Sequence, residues 1–246
     1  MNGSQLRLAL VLVNVILSLK AARPPNPPAK AEDQKKYKAD KKTNDFMSAI
    51  IWWYSPLGLV MIYFPHFIEM YTIFLSMFPS LQLPTIPLPG VISIPHIHKT
   101  TQHVRVTPAF LVGTALVFTG SFLRLWCYRH LGKQFTFELS LRKDDKLVTT
   151  GPYSLVRHPS YLGSIFSITG MLLCQMGAGS WWKEGGIVGT KFGTVYDVVL
   201  FVLVAIFELS LVRRTEKEDT VLRKEFRTQW EAWARTTPFK LVPGVY

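Results

Sequence analysis

Two short clusters hold most of the side chains in this 246-residue chain that could do chemistry. The first, 147–163, reads L-V-T-T-G-P-Y-S-L-V-R-H-P-S-Y-L-G. Gly151-Pro152 is a turn signal, and Arg157-His158-Pro159 sets a fixed cation and a titratable ring beside a proline suited to the first position of a helix. The second, 213–218, reads R-R-T-E-K-E and falls where the last apolar run ends. A guanidinium such as that of Arg157 or Arg214 can grip a carboxylate bidentately. Glu218, if buried, can hold an ammonium or a ribose diol. The backbone at Leu147 and Val148 can offer an amide and a carbonyl to an adenine edge. Such a set suits a zwitterionic, nucleotide-like cofactor beside a lipidic, anionic substrate.

Each feature taken singly has a plainer reading. His158 could be a satisfied polar residue at a membrane surface. Arg214 and Glu218, spaced i,i+4, could be a helix-surface ion pair worth about 0.2–0.5 kcal/mol. Taken together, Arg157, His158, Tyr161, Arg214 and Glu218 all fall within about a turn of a membrane-buried helix end, where ionisable groups point to function. No G-x-G-x-x-G is present, so a soluble dinucleotide fold is not indicated. No Ser-His-Asp or His-Glu-x-x-His arrangement appears either.

The elements that must position these residues read as membrane spans. The chain is 48% hydrophobic, with its apolar residues gathered into runs. Its net charge of +12 falls between those runs, as in a multi-pass protein with basic cytosolic loops, and this argues against a nucleic-acid partner. The expected fold is all-α, with about five transmembrane helices and a cytosolic amphipathic helix near the C-terminus. Leu6–Leu19 is read as a retained first span rather than a cleaved signal, because Lys20 and Arg23 flank it. A basic, proline-rich linker follows. Phe46–Phe78, broken by Pro56 and Pro65, is read as one kinked span with an interfacial shoulder. Ala109–Cys127, Ser160–Met176 and Tyr196–Val212 complete the five, with Arg124 expected to snorkel toward the headgroups. Cys127 and Cys174 read as packing residues. His96, His98 and His103 lack a carboxylate or cysteine partner, so no metal is expected. Thr215–Arg235 reads as a separate amphipathic helix with Thr215 as N-cap, Glu218 closing a capping box, and Thr237-Pro238 as its stop. With Lys20–Lys42 in the cytosol, both clusters face that same compartment.

R-H-P-S-Y-x-G combined with R-T-E-x-E resembles the isoprenylcysteine carboxyl methyltransferase family. The likeness extends upstream through Phe135-Thr136-Phe137-Glu138 and downstream through Leu222, Phe226, Trp230 and Trp233, covering roughly 124–246. R-H-P-x-Y alone is less specific, since phospholipid N-methyltransferases and some sterol reductases resemble it there. The resemblance implies an endoplasmic reticulum membrane enzyme with its site facing the cytosol. Such an enzyme transfers a methyl group from S-adenosylmethionine to the terminal carboxylate of a prenylated cysteine. It implies a cofactor site of Asp145, Lys146, Leu147, Val148, Tyr153, His158, Pro159, Ser160 and Tyr161, with Glu218 added from the last helix. Glu138 stands where the family usually has glutamine. Arg214 would bind the substrate carboxylate, with Arg157 grouped beside it as catalytic. Three regions follow: 1–45, an N-terminal span and basic linker; 46–128, a transmembrane scaffold; 129–246, the methyltransferase core. Lys217 interrupts the family's acidic run, Trp230 and Trp233 replace tyrosines, and Arg235 lies three residues before Pro238 instead of two.

A terminal carboxylate, with a pKa of about 3.5, is ionised at neutral pH and needs no general base. A phospholipid N-methyltransferase, the second reading, must take a proton from its amine and so needs a base, for which Glu216 or His158 is available. A sterol reductase would need a dinucleotide site, and a membrane scaffold would bind no cofactor.

Overall fold

The computed structural model describes residues 3–30, 32–34, 46–78, 102–142 and 144–246. His96 and His98 therefore lie outside the described residues. Helices supply the regular structure, with no strand among the described residues. The long ones are α1 (Gly3–Ala22), α2 (Phe46–Met77), α3 (Pro108–Leu131), α4 (Pro159–Met176) and α6 (Lys191–Phe226). Two shorter helices, α5 (Trp181–Glu184) and α7 (Thr228–Thr236), complete the set. Among the described residues, five helices are long and apolar enough to cross a membrane, which gives the expected all-α, multi-pass architecture. In α2 the helix runs through both Pro56 and Pro65. Pro56–Met77 of this helix is long and apolar enough to cross a membrane.

The chain divides into two compact units. Unit 1 comprises Met1–Leu19, Pro56–Phe118 and Ser167–Val204; unit 2 comprises Lys20–Ser55, Thr119–Phe166 and Ala205–Tyr246. Charge is shared unequally between them. Unit 2 carries 23 of the 28 Lys and Arg and 13 of the 16 Asp and Glu, hence +10 of the formal +12.

Unit 1 packs Val11, Val15, Ile62, Tyr63, Phe110, Val117, Met171 and Leu200 into one core. Its helices approach closely where small residues meet. A Cβ on Gly170 would lie 2.5 Å from the Gly113 carbonyl oxygen, the close backbone contact that small residues permit between spans. A buried network of polar groups crosses this unit. Arg7, fully buried, donates from Nε to Glu69 Oε1 at 2.6 Å, from Nη1 to the Arg105 carbonyl at 2.8 Å and from Nη2 to the Cys174 carbonyl at 3.0 Å. Glu69 Oε2 also accepts from the Trp181 amide at 2.8 Å. Asn14 donates to Thr114 Oγ1 at 3.0 Å. Arg7 and Asn14 thus tie α1 into the unit.

Unit 2 corrects two expectations. Arg124 does not snorkel. It is buried and donates to the Ala21 carbonyl at 2.9 Å, the Ser160 carbonyl at 3.1 Å, Ser164 Oγ and the Tyr128 hydroxyl at 2.7 Å. The cause is again a glycine contact: a Cβ on Gly163 would lie 2.7 Å from the Gly120 carbonyl oxygen. This closeness sets the Ser160–Ser164 turn beside the guanidinium, whose donors then find acceptors without reaching for water. The second correction concerns Thr215. It caps nothing, because α6 runs unbroken from Lys191 to Phe226. An N-cap needs non-helical backbone, whereas no glycine or proline interrupts 194–226 and Leu, Arg, Lys and Glu all favour helix. The Thr215 hydroxyl instead donates back to the Val212 carbonyl at 2.7 Å. The break comes at Arg227, with φ of 43°, and α7 then runs to Thr236, just before Thr237-Pro238. Arg214, Glu218 and Asp219 therefore ride on one rod.

Candidate active site

The site is built at a turn, a helix start and the charged stretch of α6, all within unit 2. Gly151 has φ of +62°, and a Cβ there would fall 2.1 Å from His130 Nε2, so both conformation and space call for glycine. Pro152 sits in the first turn of the short 3-10 helix Gly151–Ser154. Pro159 opens α4, where its missing N–H costs nothing. The two residues before it are pinned by the C-terminal segment: the Arg157 amide donates to the Phe239 carbonyl at 2.9 Å and the His158 amide to the Lys240 carbonyl at 2.8 Å. The Arg157 guanidinium, buried, donates to the Thr237 and Pro238 carbonyls at 2.9 and 2.8 Å. It also pairs with Asp219 Oδ2 at 3.2 Å.

His158 is the centre of the charge network. Nε2 lies 3.0 Å from Asp219 Oδ1 and Nδ1 lies 3.3 Å from Glu218 Oε2. The Tyr161 hydroxyl donates to the same Glu218 oxygen at 2.8 Å, and its ring stacks on the imidazole at 5.6 Å and 5°. Burial alone would pull the His158 pKa down, but the Asp219 and Glu218 carboxylates outweigh it and push it up to about 9. The ring is therefore an imidazolium at neutral pH, donating from both nitrogens. Its two acceptors differ in access: the Glu218 side chain is 28% exposed, that of Asp219 only 10%. Arg214 is buried, donates to the Phe137 carbonyl, and holds its guanidinium carbon 6.0 Å from the centre of the Tyr161 ring. Burial pushes the Tyr153 hydroxyl well above its usual range, so it stays a neutral phenol, and its carbonyl accepts from Trp233 Nε1 at 2.9 Å.

Of the residues singled out in the sequence, Arg157, His158, Tyr161, Arg214 and Glu218 come together here. The rest have other partners. Glu138 accepts from the Ala29 amide at 3.3 Å. Asp145 accepts from the Arg142 amide at 2.9 Å, and the Lys146 backbone bonds the Gln134 side chain. Ser160 faces Arg124, and Pro159 serves as helix start. Leu147 and Val148 pack against Cys127, Tyr153 and Trp233. Leu147 also lines an open cleft of about 500 Å³ with Thr149, Ser154, Gln229, Trp233 and Thr237. One residue was missed: Asp219. Adjacent positions on a helix diverge by about 100°, so Asp219 reads as facing away from Glu218. An imidazole lying across the helix reaches both.

The residues fit a zwitterionic adenosyl cofactor in two respects. Glu218 offers a carboxylate that is 28% exposed, and the cleft beside Leu147, whose lining includes none of the charged set, is part apolar and part hydroxyl-lined. Among the described residues, no group of three or more His, Cys, Asp or Glu could hold a metal ion.

Comparison with known proteins bears on the same segment. Residues 108–184, less than a third of the chain, match the phospholipid methyltransferase family (PEMT). The matched stretch runs from α3 through α5 and contains Gly151-Pro152, Arg157-His158-Pro159 and Tyr161, but stops short of Arg214 and Glu218. The chain is 38% identical over 67 residues to protein-S-isoprenylcysteine O-methyltransferase B of Arabidopsis thaliana, covering 26% of this chain and 34% of that protein. It is 29% identical over 142 residues to the nickel-cobalt-cadmium resistance protein NccN of Alcaligenes xylosoxydans xylosoxydans, covering 57% of this chain and 54% of that one. It is 39% identical over 78 residues to the cobalt-zinc-cadmium resistance protein CzcN of Cupriavidus metallidurans, covering 30% and 31%. The chain thus spans about half or less of the length of these relatives. The matched segment is similar to membrane methyltransferases of the phospholipid and isoprenylcysteine methyltransferase kind, the family that its motifs resemble.

Proposed function

We propose that this chain methylates the terminal carboxylate of a prenylated cysteine, with S-adenosylmethionine as donor. The observation that carries this reading is the state of the candidate bases. His158 is held as an imidazolium between two carboxylates, its pKa pushed up to about 9, and so takes no proton at neutral pH. Glu216 is exposed and paired with Lys240 at 3.4 Å. An amine acceptor would find neither ready, whereas a carboxylate acceptor needs none.

S-adenosylmethionine, when bound, would supply an electrophilic methyl carbon with the thioether sulfur as its leaving group. The protein's own part is positional. Glu218 holds the cationic amino group of the donor. Arg214 orients the acceptor carboxylate, and the bilayer-embedded surroundings strip water from it. Once esterified, the acceptor has no charge for Arg214 to hold and departs. Arg157 spends its donors on Asp219, Thr237 and Pro238, which makes it an organiser of the site. We place the protein in the endoplasmic reticulum membrane with this site facing the cytosol, in keeping with the +10 charge of unit 2.

The second reading, a phospholipid N-methyltransferase, draws support from the description of the matching family. A methyl-transfer assay in detergent separates the two, with labelled donor and either N-acetyl-S-farnesylcysteine or phosphatidylethanolamine as acceptor. Base-labile label on the farnesylcysteine is expected. Label on the lipid amine alone would replace the first reading with the second.

A further inference from the structure

Asp219 belongs to no motif singled out above, yet it bridges the two basic residues of the first cluster, His158 and Arg157. Its Oδ1 takes the Nε2 proton of His158 at 3.0 Å, and its Oδ2 meets the Arg157 guanidinium at 3.2 Å. It is 8% exposed. Through Arg157 it is linked to the Thr237 and Pro238 carbonyls, and through His158 to Glu218. A carboxylate there does what Glu218 cannot. Glu218 must stay accessible to a ligand, and its side chain is 28% exposed. If it were the sole counter-ion of His158, ligand binding and imidazolium binding would compete for one charge. With two carboxylates facing one imidazolium, Asp219 carries the ring and leaves part of the Glu218 charge for the ligand.

We propose that Asp219 is a positioning residue that keeps His158 charged and aimed, so that Glu218 is presented to the cofactor's ammonium, while its other oxygen fastens Arg157 and the C-terminal segment beneath them. This rests on the cofactor assignment made above. The groups that face His158 are few. Arg157 and the Lys240 carbonyl come from its own loop and the C-terminal segment; Tyr161 comes from α4; Glu218 and Asp219 come from α6. Arg214 acts through Glu218, and Tyr153 faces Glu218 and Tyr161. Of these, Asp219 and Glu218 alone are carboxylates, so Asp219→Asn removes one of the two partners that hold the proton on the ring.

The test is the pH dependence of S-adenosylhomocysteine binding to the full chain in detergent, measured by titration calorimetry for the wild type, Asp219→Asn and Asp219→Glu. Asparagine keeps the size and can still accept from Nε2, but lacks the charge. In the wild type the affinity should hold until His158 loses its proton near pH 9. In Asp219→Asn the fall should begin about one pH unit lower or more, the shift expected on losing a neighbouring charge. Asp219→Glu should retain most of the wild-type profile. The ligand's own amino group titrates identically in all three and cancels in the comparison. An Asp219→Asn profile that overlays the wild type would overturn the positioning role while leaving the cofactor site intact. A uniform loss at every pH in both variants would assign Asp219 to folding alone, and this too would overturn the proposal. No binding by a folded wild type would overturn the cofactor assignment and, with it, this inference.

Discussion

Both units bury ions, but they close them differently. In unit 1, Arg7 and Glu69 are sealed. Their side chains are 1% and 5% exposed, and Glu69 receives Arg7 and the Trp181 amide. Each member of that pair meets its opposite, and neither faces outward. In unit 2, two carboxylates answer one imidazolium, and one of them, Glu218, remains 28% exposed. A sealed pair contributes to the fold and costs heavily when broken. A pair with one reachable edge can exchange that edge for a ligand. Burial of charge by itself therefore does not mark a site in this protein; an open edge beside a sealed one does.

The largest effect should come from breaking the sealed pair. Glu69→Ala leaves Arg7 buried without its carboxylate and should destabilise unit 1 by about 3–5 kcal/mol, read as a fall in the unfolding midpoint in detergent. The fraction that stays folded should bind S-adenosylhomocysteine as the wild type does. Arg214→Ala should do the reverse, leaving cofactor affinity intact. It should lower kcat/KM for farnesylcysteine by about 2–5 kcal/mol in transition-state terms, the usual cost of truncating a buried charged partner. Gly151→Ala should cost about 1–2 kcal/mol for the left-handed backbone, plus the clash with His130. Pairing it with His130→Ala should recover the second part only, as thermal unfolding of the double variant would reveal. The His158 ion network should make stability pH-dependent. Its pKa is raised on folding from 6.5 to about 9, so its contribution is complete below about pH 6.5 and is lost as pH rises through about 9. His158→Gln should flatten that alkaline decline in an unfolding series. The smallest effect belongs to Arg223 and Glu231, a pair 3.0 Å apart whose side chains are 63% and 42% exposed. Arg223→Ala should change stability by no more than about 0.5 kcal/mol.

Much of this was legible in the sequence because it depends on local chemistry. The spans follow from runs of apolar residues, and the helix start at Pro159 and the turn at Gly151 follow from what proline and glycine permit. Arg214 and Glu218 on one side of α6 follow from i,i+4 spacing. What stayed hidden depends on long-range packing. Nothing near Arg124 says that Gly163 will bring Ser160 and Ser164 within reach of its guanidinium. Thr215 and Glu218 satisfy a capping pattern, yet a strong helix former on either side keeps the rod unbroken. Asp219 was hidden because its value lies in a histidine 61 positions away. The C-terminal segment's grip on Arg157 and His158 uses backbone carbonyls, which have no sequence signature at all.

Central to the proposed function is that the site in unit 2 moves a methyl group to an acceptor that needs no base. Its most direct test is the pH dependence of single-turnover methyl transfer to N-acetyl-S-farnesylcysteine, with donor and acceptor saturating. A rate that is level from about pH 6 to about pH 8, where a carboxylate is fully ionised, and that falls only as His158 deprotonates near 9, is the predicted result. A rate that climbs tenfold per pH unit across that range would mean that a base must first lose a proton, and would contradict the claim.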